Sequence, residues 1–323
     1  MVRFGVLGAG KIAKKFANTV NAMGLNLYAI ASRSRRKAED YKQRFNYDVA
    51  YEGYDALLSD PLVDCVYIAT PHALHYEHIM RALENGKHVL CEKPLTLNAK
   101  EAEAVFEKAK AQGLFVMEAM KVRTLPALLE LKSLLKSGII GDVKRMEAAF
   151  GFERTPDDPK RLIDPDLGGG ALLDVGIYPI ALVTMFLGKP DSMKSDVVWH
   201  ESGVDSKARM IYYYPEAHAT IRASIGDDYR KDAVIHGSEG TVEIRHFSAA
   251  ETARITNAQG QVIRTVKKPH TVNDFEHQIN ETIRCIEEGL LESPINSHAM
   301  TLEVLRQMDA IRKDWGLKYP GES

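Results

Sequence analysis

The sequence predicts an α/β fold: an N-terminal doubly wound parallel sheet, followed by an α+β domain with a large, mostly antiparallel open sheet. Three observations predict it. Over the first 120 residues, short apolar runs alternate with helix-period segments. Strands covered on both faces and joined by right-handed crossovers read this way. A glycine turn, Gly8-Ala9-Gly10, stands between the first strand and the first helix. After residue 120 the apolar period becomes two, with paired runs across short turns.

Taken in order, strands are expected at 3–7, 26–31, 65–69, 87–91 and 114–117, and helices at 11–23, 35–45, 73–84 and 99–111. Asn98 suits the N-cap of the last helix, and Gly86 and Gly113 stand where helices should stop. A helix over 125–136, a strand over 143–152 and a Pro-, Asp- and Gly-rich loop over 155–170 follow. An apolar helical region spans 171–187. Strands 208–214 and 217–225 flank Pro215-Glu216, and strands 233–236 and 241–244 flank Gly237-Ser238-Glu239-Gly240. Both pairs read as hairpins. Amphipathic helices over 274–290 and 298–315 end the chain. The domains divide as 1–120, for nucleotide binding, and 121–323, for substrate binding and oligomerisation.

Composition narrows the function classes. A chain of 323 residues can bury two cores. Its net charge of -2 gives no reason to expect a nucleic-acid or membrane partner. Cys65, Cys91 and Cys285 are widely spaced and odd in number, which argues against a disulfide framework or zinc site and for a reducing compartment. No charged leader and no apolar run of membrane-spanning length is read, so a cytoplasmic protein is expected.

Gly8-Ala9-Gly10-Lys11-Ile12-Ala13 fits the G-x-G-x-x-G/A turn of a Rossmann dinucleotide site, in the strand–turn–helix context that the motif needs. Gly8 allows the tight turn, Gly10 lets the backbone approach a pyrophosphate, and Lys11 and Ile12 open the helix whose N-terminus faces it. The next strand decides between dinucleotides. It ends Ala31-Ser32-Arg33-Ser34-Arg35-Arg36, with no acid to accept from a ribose 2′-hydroxyl. Ser32 and Arg33, with Arg36 behind them, suit a 2′-phosphate, so NADP is expected over NAD. The third strand on the cofactor side leads to Thr70-Pro71-His72, and His75 and His78 follow. Their spacing does not make a complete ligand set, so no metal is expected; one of them, His75, is expected as a polar group at the cofactor. Glu92-Lys93-Pro94 follows the buried run His88–Cys91 and sets a lysine at a strand end, where an open α/β sheet binds its ligand.

These motifs, with Gly168-Gly169-Gly170-Ala171-Leu172-Leu173-Asp174-Val175-Gly176-Ile177-Tyr178 and the tail Tyr319-Pro320, occur in an order that resembles the glucose-fructose oxidoreductase / inositol dehydrogenase (Gfo/Idh/MocA) family. The resemblance implies catalytic roles for Lys93 and Asp174, a Lys93–Pro94 bond that could be cis, and a C-terminal sheet that often forms a dimer face. Where inositol-dehydrogenase-like members carry histidine this chain has Tyr178. In this it resembles the branch of dimeric dihydrodiol dehydrogenases and NADP-linked xylose dehydrogenases. The expected function is an NADP-dependent oxidoreductase acting on an alcohol or carbonyl of a small molecule: a sugar, polyol or cyclic diol. Tyr178 would donate or accept the proton, with Lys93 assisting. A non-catalytic NADP-binding sensor, an NAD-linked inositol-type dehydrogenase and an enzyme with a non-dissociating cofactor are the alternatives. Arg161 is a candidate for a phosphate or the substrate, Asp174 for pairing with Lys93 or a substrate hydroxyl, and Glu118, Met120 and Arg123 for lining a cleft.

Overall fold

Strand β1 (Phe4–Leu7) is buried along its whole length, the signature of a central strand in a parallel sheet. The computed structural model describes residues 2–155 and 157–322. They form two compact units. The first runs to Met120 and takes in Thr271–Leu302; the second is Lys121–His270 with the stretch from Glu303.

In the first unit β1 is followed by α1 (Lys11–Ala22), β2 (Leu27–Ser32), α2 (Arg35–Phe45), β3 (Val49–Glu52), α3 (Asp55–Leu58), β4 (Cys65–Ile68), α4 (His75–Glu84), β5 (His88–Cys91), α5 (Ala99–Gln112) and β6 (Val116–Glu118). The sheet order is β3-β2-β1-β4-β5-β6, with every neighbouring pair parallel. This is the doubly wound arrangement, and the order reverses between β1 and β4. Asn98 caps α5 by accepting from Glu101 N–H at 2.9 Å, and Gly113 ends it at φ 67°. β3 is absent from the sequence reading because it is a four-residue edge strand, only part-buried and too short to show a period.

The expected boundary needs one correction. The segment 271–302, assigned from sequence to the second domain, belongs to the first unit. Phe275, Ile279 and Cys285 join the core that Phe16, Val20 and Tyr67 build. An apolar helical stripe declares that it will be buried, not against which core.

The second unit holds α6 (Pro126–Lys136), β7 (Val143–Gly151), a wide π-type turn (Leu172–Gly176) leading into α7 (Ile177–Leu187), β8 (Ser192–Trp199), β9 (Asp205–Tyr213), β10 (His218–Ser224), β11 (Ala233–Gly237), β12 (Gly240–Ile244), β13 (Thr252–Asn257) and β14 (Val262–Lys267). Helix α8 (Glu276–Glu287) is the segment returned to the first unit, and α9 (His298–Trp315) passes from the first unit into the second. The eight-stranded sheet runs β14-β13-β12-β11-β7-β10-β9-β8. Only β7 and β10 pair in parallel. Met146, Ala148, Met210 and Ile221 bury one face of this sheet, and α7 packs on β7 and β10. β8, β13 and β14 were not anticipated. β8 and β14 lie at the two edges and are largely exposed, so the apolar alternation that marks a half-buried strand is missing from them.

The expected loop over 155–170 contains the short 3₁₀ turns Lys160–Leu162 and Pro165–Leu167, and Pro156 in it lies outside the described residues. The statement that no run reaches membrane-spanning length also needs correcting. Pro165–Leu187 is long and apolar enough by length and composition, but 78% of its most apolar window is buried inside the protein. It is the core helix against the sheet.

Candidate active site

In the first unit, the loops at the carboxyl ends of β1, β2, β4 and β5 carry the residues read as cofactor ligands. Gly8 has φ +96°, and a Cβ there would stand 2.8 Å from the Ala69 carbonyl oxygen, so only glycine fits. A Cβ on Gly10 would meet nothing within 4 Å. Gly10 is the N-cap of α1, no side chain caps that helix, and no acid stands in its first turn. Lys11 is exposed and Ile12 half-buried just behind it. Open N–H groups at the positive end of a helix dipole, with clear space before them, fit a pyrophosphate. The Tyr41 hydroxyl donates to the Gly10 carbonyl at 3.1 Å and braces the turn from behind.

Ser32, at the end of β2, is 6% exposed, while Arg33 and Arg36 are exposed. Among the described residues neither guanidinium has a carboxylate partner, whereas Arg35 is held by Glu39 at 2.5 Å. The unanticipated β3 changes one premise: Glu52 is in register with Ser32, so an acid does stand at this end of the sheet.

The histidines have work of their own. The His75 ring nitrogens face the Pro94 carbonyl at 2.8 Å and the Thr70 carbonyl at 2.9 Å. His78 Nδ1 meets the Thr70 hydroxyl at 2.9 Å. Burial pushes the His75 imidazole down to about 4, against the pull of the two carbonyls. A neutral ring donates through one nitrogen only. His75 is fully buried. The expectation that it contacts cofactor is therefore corrected: it ties the loop after β4 to the loop after β5 from beneath.

Lys93 is 9% exposed, not a surface lysine, and the Lys93–Pro94 bond is cis. The Tyr67 hydroxyl donates to the Glu92 carboxylate. Next along the loop, Leu95 N–H donates to Glu118 at 3.0 Å, and the Thr301 hydroxyl reaches the other Glu118 oxygen at 3.1 Å. Glu118, Met120 and Arg123 are 2%, 0% and 1% exposed. Glu118 anchors the lysine loop.

In the second unit, Tyr178 opens α7 directly after the π-type turn. Ile177 N–H reaches the Leu172 carbonyl, five residues back, and Pro179 has no N–H to offer the next turn. A wide turn of this kind is a recurrent feature of functional sites. Gly176 permits it: a Cβ there would press to 3.2 Å on Ala223 of β10. Asp174 lies in the turn, 7% exposed, and Arg161 Nη1 donates to its Oδ1 at 3.1 Å. Arg161, read as a phosphate or substrate contact, is thus the holder of Asp174. The Tyr178 ring stacks on Phe150 with centroids 5.2 Å apart, and Lys121 Nζ lies 5.9 Å from the Tyr178 ring centroid.

Two of the three glycines before this turn stand where the protein's own atoms leave no room for a side chain. A Cβ on Gly169 would stand 2.8 Å from the Arg161 carbonyl oxygen, and one on Gly170, at φ +116°, 2.2 Å from Asp205 Oδ1.

Residues 2–120 match the oxidoreductase family with NAD-binding Rossmann fold, and residues 128–243 match the GFO/IDH/MocA C-terminal domain. The chain belongs to the Gfo/Idh/MocA family. It is 33% identical to trans-1,2-dihydrobenzene-1,2-diol dehydrogenase of Xenopus tropicalis, over 98% of this chain and 99% of that one. It is 31% identical to the scyllo-inositol 2-dehydrogenase (NADP(+)) of Bacillus subtilis, over 100% and 99%. Among solved structures it superposes at TM-score 0.86 and 29% identity on KijD10, a 3-ketoreductase from Actinomadura kijaniata in complex with NADP and TDP-benzene, covering 97% of both chains. This Gfo/Idh/MocA protein is an NAD(P)-dependent oxidoreductase of the dehydrogenase type, acting on CH–OH groups.

Sequence reasoning missed several residues around the site. Lys121 and Phe150 beside Tyr178 carry no motif. Tyr319 was noticed only as part of a familiar tail. Its hydroxyl donates to the Gly169 carbonyl at 2.6 Å, which makes it a support of the glycine turn.

Proposed function

We propose that this protein is an NADP-dependent oxidoreductase that interconverts a secondary alcohol and a carbonyl on a sugar, polyol or cyclic diol, with Tyr178 as proton donor and acceptor and Lys93 assisting. The observation that carries the reading is Tyr178 at the head of α7, held beside Phe150 and one helical turn beyond the Arg161–Asp174 pair. Ser32 and the exposed Arg33 and Arg36, which have no carboxylate partner among the described residues, support NADP, and they outweigh Glu52 because two guanidiniums face a phosphate dianion more favourably than one exposed acid opposes it. The relatives named for NADP or carrying it support the same choice. The names of the relatives also support a diol or cyclic polyol as the substrate class.

When bound, the nicotinamide supplies hydride exchange with the substrate carbon. In the oxidising direction the alcohol loses a hydride from carbon and a proton from oxygen, and the phenolate of Tyr178 takes the proton. In reduction the phenol returns it. An unperturbed phenol titrates near 10, so a nearby ammonium is needed to make the phenolate accessible at neutral pH. Lys93 is proposed in that role, and as a donor that stabilises alkoxide charge. Arg161 holds Asp174 in place to accept from a substrate hydroxyl. Lys93 lies in the first unit and Tyr178 in the second, and their joint action is what the family resemblance implies.

A double-mutant cycle tests it. Tyr178→Phe and Lys93→Met should each lower kcat by about 10²-fold or more, and the pair together by little more than either alone, since both serve one step. NADPH binding should survive Tyr178→Phe. Full turnover in Tyr178→Phe would remove the proposed proton donor.

A further inference from the structure

We propose that Asp205 is a positioning residue: its carboxyl fixes the start of the turn that presents Asp174 and Tyr178. This rests on the roles of those two residues given above. The turn is entered through Gly168-Gly169-Gly170-Ala171, a run with no side chain able to cap a helix. The cap arrives instead from 33 residues beyond Leu172. Asp205, the first residue of β9, is fully buried, and its Oδ2 accepts from Leu172 N–H at 2.6 Å. Gly170 makes room for it, since a Cβ there would collide with Asp205 Oδ1 and stand 3.2 Å from the Tyr319 hydroxyl.

The turn is held at its start by this carboxyl and along its length by β10, where Gly176 lies on Ala223. Leverage makes the first hold matter for chemistry. Tyr178 stands six residues past Leu172, roughly 9 Å along a helix at about 1.5 Å per residue. A tilt of about 6° at Leu172 carries Tyr178 by about 1 Å, and a misplacement of that size costs about 10²-fold in rate. Burying a carboxyl costs stability that an exposed cap does not. Here the buried cap serves the turn and helix that carry Asp174 and Tyr178. The residues read as cofactor ligands belong to the first unit, so a fault at Asp205 should show in turnover and not in nucleotide binding.

The full-length enzyme with NADP⁺ is assayed on D-xylose and trans-cyclohexane-1,2-diol, a sugar and a cyclic diol. Asp205→Leu removes the acceptor and should lower kcat by about 10-fold or more, with KM changed by less than about threefold. NADPH affinity, read by fluorescence, should be unchanged. Asp205→Asn keeps an acceptor for Leu172 and should hold kcat within about threefold of the wild type. Should Asp205→Leu fail to fold, Asp205→Ser, whose hydroxyl is too short to reach Leu172 N–H, carries the same prediction. Ile255→Ala, a core variant on β13, sets the level for lost stability alone and should keep its kcat. Amide exchange over 172–178 needs no substrate: it should quicken by about 10-fold or more in Asp205→Leu and stay unchanged in Asp205→Asn. The proposal is overturned by full kcat or unchanged exchange in Asp205→Leu, by an equal loss of kcat in Asp205→Asn, or by an equal loss in Ile255→Ala. If Tyr178→Phe keeps full turnover while Asp205→Leu loses it, the role of Tyr178 falls and the placing of Asp174 by Asp205 stands. Wild-type turnover of neither probe overturns the proposed function, and this inference with it.

Discussion

Tyr319 Oη donates a 2.6 Å hydrogen bond to the Gly169 carbonyl, tying the C-terminal tail to the turn that precedes Asp174. The tail is itself fastened. Arg312 lies 5.1 Å from the Tyr319 ring centroid and grips Glu322 at 2.7 and 2.9 Å, while Tyr319 N–H donates to Glu322 at 2.9 Å. Tyr319→Phe keeps the ring and removes the hydrogen bond. It should cost about 1–2 kcal/mol in urea unfolding, the penalty for a buried carbonyl left without its donor. Turnover should fall while NADPH affinity holds, because the turn carries Asp174 and not the cofactor residues. Lower stability with unchanged kcat would reduce Tyr319 to a structural anchor.

Two glycines of one motif should fail in different ways. Gly8→Ala forces a Cβ to 2.8 Å from a backbone oxygen at φ +96°, so the strand end must move. Loss of thermal stability is expected together with loss of NADPH binding. Gly10→Ala meets open space. The protein should fold with its Tm nearly unchanged, yet bind NADPH at least tenfold more weakly, because the added methyl stands where a pyrophosphate would approach. Fluorescence titration and thermal melting of both variants separate the two roles. Tight binding by Gly10→Ala would move the pyrophosphate elsewhere.

Much of this was legible in the sequence because the signals were local. The β1–turn–α1 motif, the buried run before Lys93 and the alternation of β9 and β10 each declare themselves within a dozen residues. What escaped was set by distant partners. α8 shows an apolar stripe but not its destination among Phe16 and Val20. Edge strands such as β3 and β14 make backbone bonds while burying a single residue each, so no periodicity marks them. His75 looked like a ligand because its two carbonyl partners, Thr70 and Pro94, are brought to it only by the fold. Lys121 and Phe150 gain meaning only from the ring that lies between them, Tyr178.

The nucleotide preference has its own test. Arg33 and Arg36 are exposed near a buried Ser32, with Glu52 in register beside it. Arg33→Ala should lower kcat/KM for NADPH by about 10–100-fold, the range expected when a charge-assisted phosphate contact is lost, and change that for NADH by less than threefold. Steady-state kinetics with both cofactors decides. An equal loss with both would mean that Arg33 supports the fold of the loop and does not read the 2′-phosphate.

Two buried groups make opposing predictions about stability and pH. Burial raises the Asp205 carboxyl from an ordinary 3.8 to about 7, against the Leu172 N–H that donates to it at 2.6 Å. Among the described residues its other oxygen, Oδ1, which packs on Gly170, has no hydrogen-bond partner. A folded-state value above the unfolded one means that the native protein holds a proton the unfolded chain has lost. The stability from Asp205 is therefore complete below pH 4 and disappears as pH climbs to 7. For His75 the sign is reversed. Burial lowers it from 6.5 to about 4, so its stability is complete above pH 6.5 and disappears as pH falls to 4. Each slope approaches about 1.4 kcal/mol per pH unit within its window, and between pH 4 and 6.5 the two offset. Asp205→Asn keeps an acceptor for Leu172 and removes the titration. It should lose stability on acidification more steeply than the wild type over that interval. His75→Gln should lose it less steeply. Urea unfolding at half-unit pH steps measures both slopes, and variants that run parallel to the wild type would show that neither group titrates as its burial requires.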